Sequence, residues 1–371
     1  MLFLHRNSPQ ISKQKRIGAN YFFNLNLKRW HNCFSRTFGN SNHNFMHLDI
    51  TKAQALQEYL QAKGWLKENE PIFSLEIPGE GNMNYTLRVR THDRTLIVKQ
   101  ARPYVEKYPQ ISAPCERAVI EAHFYEKIQE FASIQTFMPT LIGVDESNYI
   151  LTLEDLGTSS DYTFLYQPQQ KLSMVEAEAL AHFLAMLHQL TWKETLDGTF
   201  ANRAMRVLNH EHIFKFPFME NNGFDLDSLH DGFQMISMAY KVDPYLKKKV
   251  AELGQVYLSD GHSLLHGDFY PGSWLKTDSG LKVIDPEFCF YGCPEFDLGV
   301  LTAHLMLAKQ DEDTIRKVYQ AYGAVKNPQL VDQFTGVEIM RRLLGLAQLP
   351  LSLSLIDKEE LLETAYEMIM K

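Results

Sequence analysis

Two short apolar runs, Ser263–Leu265 and Leu281–Ile284, each end in acidic residues, and no other feature of the sequence constrains the fold as tightly. The first run leads into His266-Gly267-Asp268 and the second into Asp285-Pro286-Glu287. Such runs read as strands, and side chains at the ends of paired strands converge on one cleft. Asp285 and Glu287, two apart on an extended segment, are expected to point the same way. That arrangement suits phosphoryl transfer. The chemistry needs one acidic group to orient the attacking hydroxyl, and further carboxylates to hold magnesium on the phosphates of ATP. Asp268 suits the first task, Asp285 and Glu287 the second. Carboxylates on a surface are the plain alternative, so the reading needs a complementary half.

The N-terminal side supplies one. Gly79-Glu80-Gly81-Asn82-Met83-Asn84 lies between two strand-like runs, Ile72–Ile77 and Tyr85–Arg90. Glycines there let a backbone approach phosphates, so Gly79, Gly81, Asn82 and Asn84 form the expected phosphate-facing turn. An ordinary hairpin turn is the alternative. It is not a Walker loop, because no Gly-Lys-Ser/Thr follows. A third run, Thr95–Gln100, centres Lys99 among apolar residues, and a lysine in that setting needs a partner or a ligand. Glu121, on the helical stretch Cys115–Phe131, is the expected partner, with Glu116 competing.

This ordered set (glycine-rich hairpin, strand lysine, helix glutamate, His-Gly-Asp, Asp-Pro-Glu) resembles the aminoglycoside phosphotransferase and choline kinase superfamily. Within it, the motifs resemble most those of the 5-methylthioribose kinases: Gly79–Asn84, Val98–Val105, Leu265–Ser273, Val283–Gly292 and Met340–Ala347. The resemblance implies an α+β, two-lobed protein-kinase-like fold, with a small antiparallel-sheet N-lobe and a larger, mainly helical C-lobe. It implies an ATP- and magnesium-dependent kinase that phosphorylates a hydroxyl of a small molecule, first a methylthioribose-like sugar. Asp268 would be the catalytic base, Asp285, Glu287 and Ser273 metal ligands, and Arg341 and Arg342 substrate-binding. Glu154 and Leu156, after the last N-lobe strand, would line the nucleotide hinge. His266 and Asp297 would brace the catalytic loop, and His188 reads as a satisfied core histidine. Phe269-Tyr270-Pro271 and Cys293-Pro294-Glu295 depart from the methylthioribose kinase pattern. Fructosamine, aminoglycoside and choline-like acceptors therefore stay open, as does a nucleotide-binding module without catalysis. No His-Arg-Asp loop or Ala-Pro-Glu segment supports a protein kinase.

Charge and composition narrow the partners. The 371 residues carry a net charge of −8, which argues against a broad nucleic-acid surface. No apolar stretch is long enough for a membrane span. A small-molecule substrate is the expected partner, with homodimerisation allowed. Four cysteines at these spacings suggest neither a disulfide framework nor a zinc site, and read as reduced. The first 45 residues hold seven Lys or Arg and no acidic residue, which reads as an organelle-targeting segment or an upstream start before Met46. Otherwise the expected location is the cytoplasm. The expected divisions are 1–45, an N-lobe over 46–157 and a C-lobe over 158–371. Helical patterns cover Ile50–Lys67, Pro244–Leu258, Glu295–Lys309, Asp313–Tyr322 and Asp332–Leu349. Ser173 with Glu176 marks a capping box.

Overall fold

A computed structural model describes residues 46–79 and 83–371. The basic segment 1–45, with both of its readings, and Gly81 and Asn82 lie outside the described residues.

The chain enters through α1 (Ala53–Ala62) and builds a five-stranded antiparallel sheet, ordered β1-β2-β3-β7-β6. Its strands are β1 (Ser74–Glu76), β2 (Tyr85–Arg90), β3 (Thr95–Gln100), β6 (Leu141–Asp145) and β7 (Ile150–Glu154). A short hairpin, β4 (Tyr104–Val105) with β5 (Tyr108–Ser112), and α2 (Arg117–Ile128) intervene, and a turn of helix, α3 (Ala132–Gln135), follows. Alternation decides how the sheet is used. Leu87, Val89, Leu96 and Val98 share one face and bury against Leu56, Leu60 and Trp65. Gly143 makes room for that indole, since a Cβ there would lie 2.0 Å from Trp65 Nε1. Leu87→Ala would cost about 2–5 kcal/mol, because its side chain is wholly enclosed. The other face carries Thr86, Arg88, Ile97 and Lys99, and it looks toward the remainder of the molecule.

The rest is mainly helical. After β8 (Ser159–Asp161), α4 (Met174–Leu190) starts at Ser173, whose side chain and that of Glu176 form a reciprocal capping box. Then come α5 (Arg203–His210), α6 (Phe233–Lys241) and α7 (Pro244–Leu258). The strand-rich island consists of β9 (Ser263–Leu265), β10 (Trp274–Thr277), β11 (Gly280–Val283) and β12 (Phe290–Gly292). Four helices close the chain: α8 (Glu295–Leu307), α9 (Glu312–Tyr322), α10 (Pro328–Leu344) and α11 (Leu355–Met370). A large apolar core runs through α4, α8, α10 and the strand island, and reaches Leu151 and Leu153 on the sheet.

Two sequence expectations shift. The expected helix Asp332–Leu349 begins earlier, where Asn327 caps Leu330 N and Pro328 takes the first turn, and stops at Gly345. The extended geometry expected for Asp285 and Glu287 is absent: β11 has ended, and Asp285 lies in the left-handed region at φ 63°. Among the described residues, no helix is long and apolar enough to cross a membrane. Cys115, Cys289 and Cys293 are free thiols.

Candidate active site

The loop after β9 is held from beneath. Asp297, in the first turn of α8 and fully buried, accepts hydrogen bonds from His266 N at 2.7 Å and Gly267 N at 3.0 Å. Its second backer is His188, whose Nε2 lies 3.2 Å from Asp297 and whose Nδ1 lies 2.9 Å from Tyr322 Oη. Gly267 takes a φ of +84°, and a Cβ would lie 2.2 Å from the Phe288 carbonyl oxygen, so only glycine fits. His266 reaches the Ile284 carbonyl at 3.0 Å and ties this loop to the end of β11. Burial lowers its pKa, which suits a bracing role more than a proton carrier. Phe269 stacks on Phe183 in the core, with ring centroids 5.6 Å apart.

These braces present Asp268. Its Oδ1 lies 3.5 Å from Arg342 Nη2 and 3.8 Å from Arg341 Nη1. Burial pushes the carboxyl pKa up, and the two arginines pull it only partly back. The arginines sit on consecutive positions of α10, and Glu338 one turn earlier holds both. Its carboxylate accepts from Arg342 Nε at 2.6 Å and from Arg341 Nη1 at 3.0 Å. It also meets His304 Nε2 at 3.1 Å, and His304 Nδ1 is 2.6 Å from Tyr166 Oη. Burial pushes Glu338 up, but Arg341 and Arg342 outweigh it and leave it well below the usual range. An ionised Glu338 needs a donor at His304 Nε2, so Nδ1 accepts from Tyr166. Tyr270 lies under the Arg342 guanidinium, 4.9 Å from its ring centroid.

On the sheet side, Lys99 Nζ donates to Glu121 at 2.7 Å and pairs closely with Asp285. Glu121 is thus the partner; Glu116 sits at the N-cap of α2 instead. Burial would strip the charge from Lys99, but Asp285 and Glu121 together hold its pKa well above normal. Glu287 does not share this contact. Arg117 Nε lies 3.1 Å from its carboxylate, and Asn84 Nδ2 donates to it at 3.1 Å. Arg117 Nε also donates to Asn84 Oδ1 at 3.0 Å. Asn84, expected to face phosphate, therefore spends both ends of its amide joining the hairpin to Glu287. Ser273 Oγ donates to the Asp268 carbonyl at 3.0 Å, which leaves its lone pairs free. Glu154 ends β7 opposite Leu96, Leu156 follows it, and Gly79 is exposed at the β1–β2 turn.

The sequence reading passed over Arg117 and Glu338. A cation in the first turn of a helix opposes the helix dipole, which flags Arg117 as held by something else. Glu338 was legible from its i+3 and i+4 spacing to the two arginines.

These carboxylates suit magnesium. That ion is commonly held by one or two carboxylates plus water and phosphate oxygens, without a dedicated protein cage. Asp285, with 43% of its side chain exposed, fits such a site, and among the described residues no group of three or more His, Cys, Asp or Glu gathers into a cage.

The model of the phosphotransferase enzyme family matches residues 74–334. A methylthioribose kinase of Bacillus cereus (strain B4264) is 30% identical over 273 residues, covering 70% of this chain and 66% of its own. That of strain ATCC 10987 / NRS 248 is 27% identical over 346 residues, covering 80% and 85%. The chain thus spans slightly under two thirds of the first relative's length. Among solved structures, choline kinase LicA from Streptococcus pneumoniae aligns with a TM-score of 0.48 at 14% identity, over 85% of this chain and 98% of that one.

Proposed function

This chain belongs to the phosphotransferase enzyme family, and on that footing we propose that it is an ATP-dependent kinase of a small hydroxyl compound, with a methylthioribose-like sugar as acceptor. The observation that carries the reading is the placement of Asp268. Its carboxylate is fixed by a braced loop, faces two arginines, and lies on the segment that His266 ties to the Ile284 carbonyl, next to Asp285.

The chemistry follows from those contacts. The acceptor hydroxyl donates its hydrogen bond to Asp268. As its oxygen bonds to the γ-phosphorus and the bond to the ADP oxygen breaks, its proton passes to Asp268. Arg341 and Arg342 neutralise charge on the transferring group and orient the acceptor. Lys99, held cationic by Asp285 and Glu121, meets the nucleotide phosphates. Asp285, with the lone pairs of Ser273, would hold magnesium, which supplies charge neutralisation on those phosphates. Glu287 supports that site through Arg117 and Asn84. In this scheme residues 46–157 bind nucleotide, with Gly79, Asn84 and the Glu154–Leu156 hinge at its edges, and 158–371 bind the acceptor.

The identity of the methylthioribose kinase relatives supports the acceptor assignment. An ATP-consumption assay with magnesium, run over methylthioribose, a fructosamine, an aminoglycoside and choline, tests it. Turnover of methylthioribose is expected. Turnover of another acceptor with methylthioribose inert moves the chain to a different substrate class, and ATP binding without any turnover removes the kinase reading.

A further inference from the structure

The geometry points to Arg88 as the residue that seats the base of the nucleotide, with its guanidinium face as the stacking surface. This rests on reading the cleft as a nucleotide site.

Position comes first. In β2, Leu87 and Val89 face α1, so Thr86, Arg88 and Arg90 face the cleft side. Thr86 pairs with Lys99, and Arg88 pairs with Ile97. Directly opposed residues of an antiparallel pair share a face. Arg88 therefore lies two residues from the phosphate-contacting lysine, roughly 7 Å along the strand. That displacement leads from phosphate toward sugar and base.

The contacts say which chemistry Arg88 can offer there. Its Nε lies 2.8 Å from Asp155 Oδ2, and its Nη2 lies 3.1 Å from Asp155 Oδ1. Nη1 is 3.2 Å from Glu76 Oε1, and Nη2 also reaches the Gly157 carbonyl at 3.4 Å. Nη1 and Nη2 donate to protein oxygens and Nε faces the Asp155 carboxylate, so Arg88 is poorly placed to bind another anion. What remains is the flat face of the guanidinium, which stacks on planar heteroaromatic rings. Asp155, its side chain only 4% exposed, fixes that plane, and it belongs to the segment that leaves β7. A cavity of about 340 Å³, lined by Arg88, Arg90, Thr95, Asp155 and Gly157, opens beside it. That volume lies in the range of small-ligand sites.

The test separates stacking from a general loosening of the cleft. With magnesium present, ATP and inorganic tripolyphosphate, which lacks a base, are titrated against the full chain and against Arg88→Met and Arg88→Lys. Both substitutions should weaken ATP by roughly tenfold or more, the scale of one lost base stack, and leave tripolyphosphate within about twofold. Arg88→Lys discriminates because it keeps the charge and loses the plane. If Arg88→Met fails to fold because Asp155 is left unpaired, the double variant Arg88→Met/Asp155→Asn replaces it, with the same expected split. Unchanged ATP affinity, or equal weakening of ATP and tripolyphosphate, overturns the assignment to Arg88 alone. A parent chain that binds neither probe overturns the nucleotide reading with it.

Discussion

The charged cluster around Lys99 and the one around Asp268 are both largely buried and both use arginine, yet they are built in opposite ways. The first is assembled from distant places: Lys99 on β3, Glu121 and Arg117 on α2, Asn84 just before β2, and Asp285 and Glu287 beyond β11. In the second, Glu338, Arg341 and Arg342 occupy little more than one turn of α10. The charge count differs too. Two cations meet three carboxylates around Lys99, whereas the two arginines around Asp268 meet two. Counted as ionised groups, the first cluster is one positive charge short, and burial with the neighbouring Asp285 pushes the Glu121 carboxyl up to about 7. The second is balanced before any ligand arrives.

The sharpest way to break this contrast is to remove one arginine from each cluster. Arg117→Met leaves Glu287, which is nearly enclosed, without its ion partner, and should cost about 3–5 kcal/mol in a denaturant titration. Arg341→Met leaves Glu338 paired with Arg342 and His304 and should cost clearly less. Equal losses would erase the difference between an assembled tie and a local unit.

Next in size is Asp268→Asn, which keeps the shape of the side chain and removes its negative charge. Single-turnover rates with excess enzyme should fall roughly 10²-fold or more, with ATP affinity within a few-fold of the parent. An ATP affinity that collapses as well would show that the two clusters act as one.

Glu338→Gln sharpens the acceptor side. It removes the charge that aims both arginines and should raise the acceptor KM about tenfold, the scale of one charge-assisted hydrogen bond, while leaving nucleotide affinity alone. Smallest is a shift in pH dependence. Burial raises the Asp268 pKa, so activity should fall on acidification through a limb lying above the ordinary carboxylate value of about 4. Arg342→Met removes a group that lowers that pKa, and the limb in a kcat/KM–pH profile should move higher still.

The same contrast explains what the sequence disclosed. Strands β2 and β3 were legible end to end, because Leu87, Val89, Leu96 and Val98 alternate and the turn residues flank them. Lys99 and Glu121 were legible because an unpaired lysine in an apolar strand is costly. The β4–β5 hairpin was not, since Tyr108 is exposed and no apolar alternation marks it. Helix α11 was missed although Ser354 and Asp357 form a capping box at its start. Its apolar residues alternate with acids too densely for one clear stripe. The bend at Asp285 was unreadable for a different reason: a left-handed aspartate is imposed by its surroundings, not by its neighbours in sequence. Arg117 belongs to that class as well, its partners lying 33 and 170 positions away in sequence.

Asp297 carries one further consequence, for heat. Its single carboxylate grips two backbone amides of the Asp268 loop and is itself anchored in the first turn of α8 and against His188 of α4. The loop is thereby tied to two helices at once. Thermal inactivation and calorimetric melting of the helices should therefore follow one curve, with no temperature window in which the protein is folded but the Asp268 loop is slack.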